Sequence, residues 1–143
     1  MNQIFNENCL ETMKRLPPDS VDLVVTSPPY DNLRSYENSY SFDFNKVKEG
    51  LFKVLKIGGV LVWVVSDETK DCDESGTSFR QALAFKDIGF KLNDTMIYRK
   101  KATPMPSSCK YNNEFEYMFV FSKESRPKTV NLLKDKPNSQ AGK

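Results

Sequence analysis

Thr26-Ser27-Pro28-Pro29-Tyr30 is the segment of this 143-residue chain whose residue types are best suited to chemistry. Two consecutive prolines hold φ at about −65° and remove two backbone donors, leaving carbonyl acceptors on a stiff backbone. Ser27 adds another acceptor beside them, and Tyr30 supplies a π face. Such a corner suits a planar ring bearing an NH2 group, an adenine or a cytosine taken out of its stack. The plainer alternatives are a strand terminator at Pro28-Pro29, a turn residue at Ser27 and a core aromatic at Tyr30.

Other chemistries are excluded by what is missing. The chain has no histidine, which removes Ser-His-Asp hydrolysis, Cys-His nucleophile pairs and His-ligated zinc. Cys9, Cys72 and Cys109 stand far apart without a Cys-x-x-Cys, so they read as reduced cytosolic thiols and no metal site is expected. The longest apolar run, residues 60–65, is too short to span a membrane, and the first fifteen residues do not form a signal peptide. A soluble, cytoplasmic protein is expected. Residues 1–98 carry 11 basic and 15 acidic side chains, whereas 99–143 carry 10 and 4. The back third is therefore the first place to look for contact with a polyanion.

The corner needs a scaffold. Residues 3–5 predict a short first strand, and Cys9-Leu10-x-x-Met13-x-x-Leu16 has the spacing of a helix buried on one face, stopped by Pro17-Pro18. Residues 21–25 are almost wholly apolar, as in a strand covered on both sides, and they run straight into Thr26. A polar and aromatic loop follows over 31–43. Phe44, Val47, Leu51, Phe52, Val54 and Leu55 recur at helical spacing, and Gly58-Gly59 is read as the end of that helix. Residues 60–65 predict the clearest strand, with Trp63 in the core. Residues 66–76, with five acids and one lysine, predict a solvated loop, in which Asp67 is either an ordinary loop acid or a group at the edge of the crevice. Another helix is expected over 79–88, and two strands over 91–100 and 114–121. This order predicts an α/β fold with a mainly parallel sheet and an antiparallel hairpin at its edge. The ligand crevice of such a sheet lies beyond the carboxyl ends of its strands, where the corner sits.

The corner and its surroundings resemble the catalytic Ser/Asp/Asn-Pro-Pro-Tyr motif of the DNA amino-methyltransferases. The likeness extends to Asn8-Cys9-Leu10-Glu11 before Leu16-Pro17, Val21-Asp22-Leu23 leading into the motif, Leu55-Lys56-x-Gly58-Gly59 before the next strand, and Asn113-Glu114-Phe115-Glu116 before Phe121-Ser122-Lys123. It spans nearly all of residues 4–123. The resemblance implies a Rossmann-like S-adenosylmethionine-dependent methyltransferase fold, methylation of cytosine N4 or adenine N6 in double-stranded DNA, and S-adenosylmethionine as cofactor. It implies catalytic roles for Ser27, Pro28, Pro29 and Tyr30. Ser before Pro-Pro favours cytosine N4 within the family. Asn8, Cys9 and Thr26 are the expected cofactor contacts, with a helix cap as the other role for Asn8. Arg34, Tyr36, Arg99, Lys100 and Lys101 are the expected DNA contacts, against the alternative of a solvated charged face.

The chain also departs from the family. The family's cofactor segment is Phe-x-Gly-x-Gly, and none of the six glycines here forms Gly-x-Gly. Asn8 stands where the family usually has an acid. An incomplete domain is therefore expected: residues 1–123 as the catalytic part, 124–143 as a basic tail or the start of a truncated region. Three explanations stay open, namely a fragment, half of a split enzyme, or a degenerate homologue that binds DNA or a partner. An RNA or protein amide methyltransferase is a further alternative. An uncovered sheet edge predicts a second chain or a homodimer partner.

Overall fold

The computed structural model describes residues 2–29, 42–101, 109, 111 and 113–131. Helix α1 spans Cys9–Arg15 and begins where Asn8 Oδ1 accepts the Leu10 N–H at 2.9 Å. Glu11 in its first turn and Lys14 and Arg15 in its last complement the helix dipole. Strand β1 (Val21–Thr26) follows, then α2 (Phe44–Val54), capped by Asp43 Oδ1 on the Lys46 N–H at 3.1 Å. The α2 face that turns inward carries Val47, Leu51 and Val54, as its spacing predicts.

Strand β2 (Leu55–Val65) starts immediately after α2. Gly58-Gly59 therefore does not end the helix but lies within the strand. The glycines are needed for a different reason. Gly58 has φ +74°, and a Cβ on Gly59 would meet the Lys56 carbonyl at 2.8 Å and the Val21 carbonyl at 3.1 Å. They absorb the irregularity that shifts the β1–β2 register from Val21↔Leu55 to Leu23↔Val60.

Residues 66–76 hold more order than a solvated loop. They include a small hairpin, β3 (Thr69–Lys70) with β4 (Asp73–Glu74). Helix α3 (Thr77–Asp87), β5 (Phe90–Arg99) and β6 (Phe115–Lys123) complete the chain order.

The main sheet has the order β1-β2-β6-β5. Its β6–β5 pair is the antiparallel hairpin expected at the sheet edge; β2–β6 is antiparallel as well, so among the described residues the parallel part is the single β1–β2 pair. The cause is the β5–β6 hairpin: its second strand turns back and inserts between β2 and β5, making both neighbours antiparallel. Residues 3–5 form no strand, and Ile4 is 97% exposed. Among the described residues no strand lies beside the outer edge of β1, so they have no ladder to join.

The core lies on the helical side of the sheet. Leu61, Trp63 and Val65 from β2 meet Phe85 from α3 and Phe119 and Phe121 from β6. Trp63 is buried as expected, and its indole N–H donates to Gln81 Oε1 at 2.8 Å. At the opposite end of the strands, the buried Lys123 ammonium donates to Asp19 Oδ1 at 2.8 Å and to the Leu55 carbonyl at 3.0 Å. Cys72 and Cys109 are joined in a disulfide rather than being reduced thiols, with Cα atoms 5.6 Å apart; Cys9 is free. The fold brings the β3–β4 turn beside the β5–β6 connection, a proximity that a separation of 37 residues does not reveal. No helix among the described residues is long and apolar enough to cross a membrane.

Candidate active site

Strand β1 delivers the motif. Thr26 is its last residue, opposite Trp63 of β2, and the chain then leaves the sheet through Ser27, Pro28 and Pro29. Proline cannot donate to a ladder, so the exit is fixed at that point. Ser27 is exposed, Pro28 buried and Pro29 half-buried. All three line a cleft of about 1040 Å³. That volume is in the range of small-molecule sites.

One wall of the cleft is the N-terminal segment from Phe5 to Cys9 with Leu10, Thr12 and Met13 of α1. Its floor is apolar, formed by Val21, Val24, Val47, Leu51, Val54 and Trp63, while Phe42 and Asp43 close the α2 side. The structure thus brings Ser27, Pro28 and Pro29 together with Thr26, Asn8 and Cys9. Tyr30, Arg34 and Tyr36 lie outside the described residues.

Two carboxylates line the cleft, and sequence reasoning singled out neither. Glu7 Oε2 accepts from Arg15 Nη1 at 2.7 Å, and its Oε1 accepts from Thr12 Oγ1 at 2.7 Å and from Arg15 Nη2. The Arg15 guanidinium, helped by Thr12, pulls the Glu7 carboxyl down to about 2. Asp43 is also lowered, by the Lys46 side chain at 3.0 Å and then by the α2 backbone N–H groups. Both are anions at neutral pH, each engaged with a cation. Glu7 and Arg15 are eight residues apart and straddle a helix start, which no helical pair spacing would flag. Asp43 was findable as an N-cap directly before the periodic residues of α2.

Asn8 makes the cap that was its alternative role, with its side-chain oxygen on Leu10 N–H, while also lining the cleft. Asp67 does not line the cleft. Its carboxylate accepts from the Ser78 N–H at 2.8 Å, the Ser78 hydroxyl and the Ser75 hydroxyl at 3.1 Å, and so anchors the start of α3.

Arg99, Lys100 and Lys101 are not in the cleft either. They stand at the end of β5, and the register carries that end to the same side of the sheet as Thr26. Three strand spacings, about 14 Å, separate β1 from β5, and the register sets Thr26 level with Thr95, so Arg99 stands four residues further along. Lys100 is paired with the nearly buried Glu116 carboxylate at 3.0 Å, whereas Arg99 and Lys101 are exposed. The end of the sheet therefore offers acceptors over an apolar floor at one side and exposed cations at the other.

The profile of a DNA methylase (N6/N4-methyltransferase) family matches residues 21–143. The orphan methyltransferase M.BamHII of Bacillus amyloliquefaciens is 56% identical over 119 residues, 83% of this chain and 44% of that protein. The type II methyltransferase M.BglII of Bacillus subtilis is 34% identical over 77 residues, 50% of this chain and 21% of its own. The chain thus spans less than half the length of these relatives. Among solved structures, the cytosine-N4-specific PvuII DNA methyltransferase matches with a TM-score of 0.65 and 21% identity, covering 85% of this chain and 49% of the other. The M1.HpyAVI complex with SAM matches with a TM-score of 0.68 and 20% identity, covering 96% and 61%. These likenesses show a shared α/β fold.

Proposed function

Because the chain belongs to the DNA methylase family, we propose that its cleft transfers a methyl group from S-adenosylmethionine to an exocyclic amino group in double-stranded DNA. The observation that carries this reading is the position of Ser27, Pro28 and Pro29 on the cleft wall at the carboxyl end of β1.

An exocyclic amine is a poor nucleophile because its lone pair is delocalised into the ring. The Ser27 hydroxyl and the Pro28 carbonyl accept its hydrogens, hold the nitrogen toward a tetrahedral form and aim the lone pair. The Pro28-Pro29 backbone keeps those acceptors from relaxing. Tyr30 stacks on the base once it is flipped. Thr26, Asn8 and Cys9 hold the cofactor, for which the apolar floor and polar rim of the cleft are a fitting surface. When bound, S-adenosylmethionine supplies an electrophilic sulfonium methyl. Arg34, Tyr36, Arg99 and Lys101 contact DNA, and Lys100 does so from its pairing with Glu116.

Cytosine N4 is the preferred target, with adenine N6 second. The chain works with further polypeptide, in the same chain or in another, that covers the open edge of β1. Leu23 and Val25 lie two apart on that strand, so on one face of the sheet, and are 56% and 64% exposed, which favours a partner that also covers this face. The test is to incubate duplex DNA with the protein and S-adenosylmethionine and to digest it to nucleosides. N4-methylcytosine is expected by mass spectrometry. N6-methyladenine would reassign the base, and a digest that stays unmodified even with the polypeptide that covers β1 present would favour a degenerate homologue that only binds.

A further inference from the structure

Strand β5 is the edge of the sheet opposite β1, and among the described residues no strand lies along its outer side. Every residue from 93 to 99 is exposed, on both faces of the sheet, and Met96, Ile97 and Tyr98 are each about half exposed. An apolar strand that carries unpaired N–H and C=O groups along an edge is a template for another strand.

The pairing with β6 sets how much of that edge is usable. The register slips between Leu92 and Asp94, which interrupts the strand at Asn93. From Asp94 the ladder is regular to Arg99, and the Lys100 N–H, which donates to the Glu114 carbonyl at 2.7 Å, carries it one residue further. The regular edge is therefore residues 94–100, about 23 Å long. Its midpoint is Ile97.

The side chains are ordered self-complementarily about that midpoint. Alternate residues share a face, so Asp94, Met96, Tyr98 and Lys100 point to one side and Thr95, Ile97 and Arg99 to the other. A second copy, related by a two-fold axis through Ile97 and normal to the sheet, runs antiparallel to the first. It sets each residue opposite the one equally far beyond Ile97. Asp94 then faces Lys100 of the other copy at both ends, Met96 faces Tyr98, Thr95 faces Arg99, and Ile97 faces its own equivalent. Opposite charges and apolar pairs placed in this way stabilise an antiparallel ladder. An axis nearer the start of β5 would carry the pairing into the irregularity at Asn93 and lose the match.

We propose that two copies of this chain join through β5 into one continuous sheet, with Ile97 on the two-fold axis. The ladder supplies the attraction and the order of side chains supplies the register. A single strand edge buries less than the about 800 Å² per partner of a standard interface, so the association is reversible and depends on concentration. The pairing uses no residue of the cleft and leaves the β1 edge of each copy open, so it stands apart from the methyl-transfer reading.

The test is sedimentation of the full chain, which should be a monomer at about 1 μM and mainly a dimer at about 100 μM. Ile97→Lys sets two lysines against each other at an exposed position, and should hold the chain monomeric at the higher concentration with an unchanged melting temperature. Cross-linking reads the register without relying on that variant. In a Cys9→Ser background, Ile97→Cys should give a disulfide-linked dimer on mild oxidation, because self-opposed Cβ atoms lie about 5 Å apart. Lys91→Cys should not, since the same pairing holds those two positions about 40 Å apart. A monomer at about 100 μM, a dimer that Ile97→Lys leaves intact, or equal cross-linking at positions 91 and 97 would overturn the proposal.

Discussion

The two halves of the sheet are built to opposite ends. Around β2, β6 and α3, Phe85 is fully buried and packs its ring against Phe44, Trp63, Phe90 and Phe121 at centroid distances of 5.0–5.5 Å. Around β1 and α1, Leu23 and Val25 stand in the open, Met13 is the buried residue of the helix, and a wide cleft separates the N-terminal segment from the strand. One half holds the fold, and the other leaves a hollow beside a rigid corner. Stability and chemistry can thus be lost separately.

The largest effect should follow from emptying the packed half. Phe85→Ala removes the hub of the aromatic cluster and should cost about 3–5 kcal/mol in urea unfolding. A loss below about 1 kcal/mol would show that the cluster does not carry the fold. The corner should behave in the opposite way, with Ser27→Ala within about 0.5 kcal/mol of the parent because Ser27 is exposed.

A smaller loss is expected at Gln81, whose side-chain oxygen takes the buried Trp63 N–H. Gln81→Leu leaves that donor without its partner and should cost about 1–3 kcal/mol, read from the same unfolding curves.

The smallest effect belongs to the open half and is visible only through pH. The Glu7 carboxyl is lowered to about 2 from 4.5 by its pairing with Arg15, so between those values the unfolded chain binds more protons than the folded one. The pair's contribution is present above about pH 4.5 and is lost as pH falls through 2. The difference in melting temperature between the parent and Glu7→Gln should therefore be constant from pH 7 to 5 and shrink steadily below that. A difference that grows on acidification would contradict the pairing.

The same division governs what could be read from the residues alone. The packed half was legible because its signals are dense and local. Residues 60–65 are a continuous apolar run, and Val47, Leu51 and Val54 recur at helical spacing, so β2, α2 and the burial of Trp63 follow directly. In the open half the corner was legible because two prolines allow few backbone conformations. Contacts between distant segments were not. Glu7 with Arg15, Lys123 with Asp19, and Cys72 with Cys109 each depend on where the fold brings elements together. The antiparallel edge hairpin was legible, but the insertion of β6 between β2 and β5 was not, since it is a property of pairing rather than of the strand's own sequence. Gly58-Gly59 was misread because glycine ends helices and permits strand irregularities by the same conformational freedom.

The most direct test of the account is methyl transfer to duplex DNA by Ser27→Ala beside the parent protein, each checked for an unchanged melting temperature. A fall in turnover of about tenfold or more, roughly 1.4 kcal/mol of barrier, is the predicted result. Turnover equal to the parent's would contradict the claim that the Ser27-Pro28-Pro29 corner holds the reacting amine.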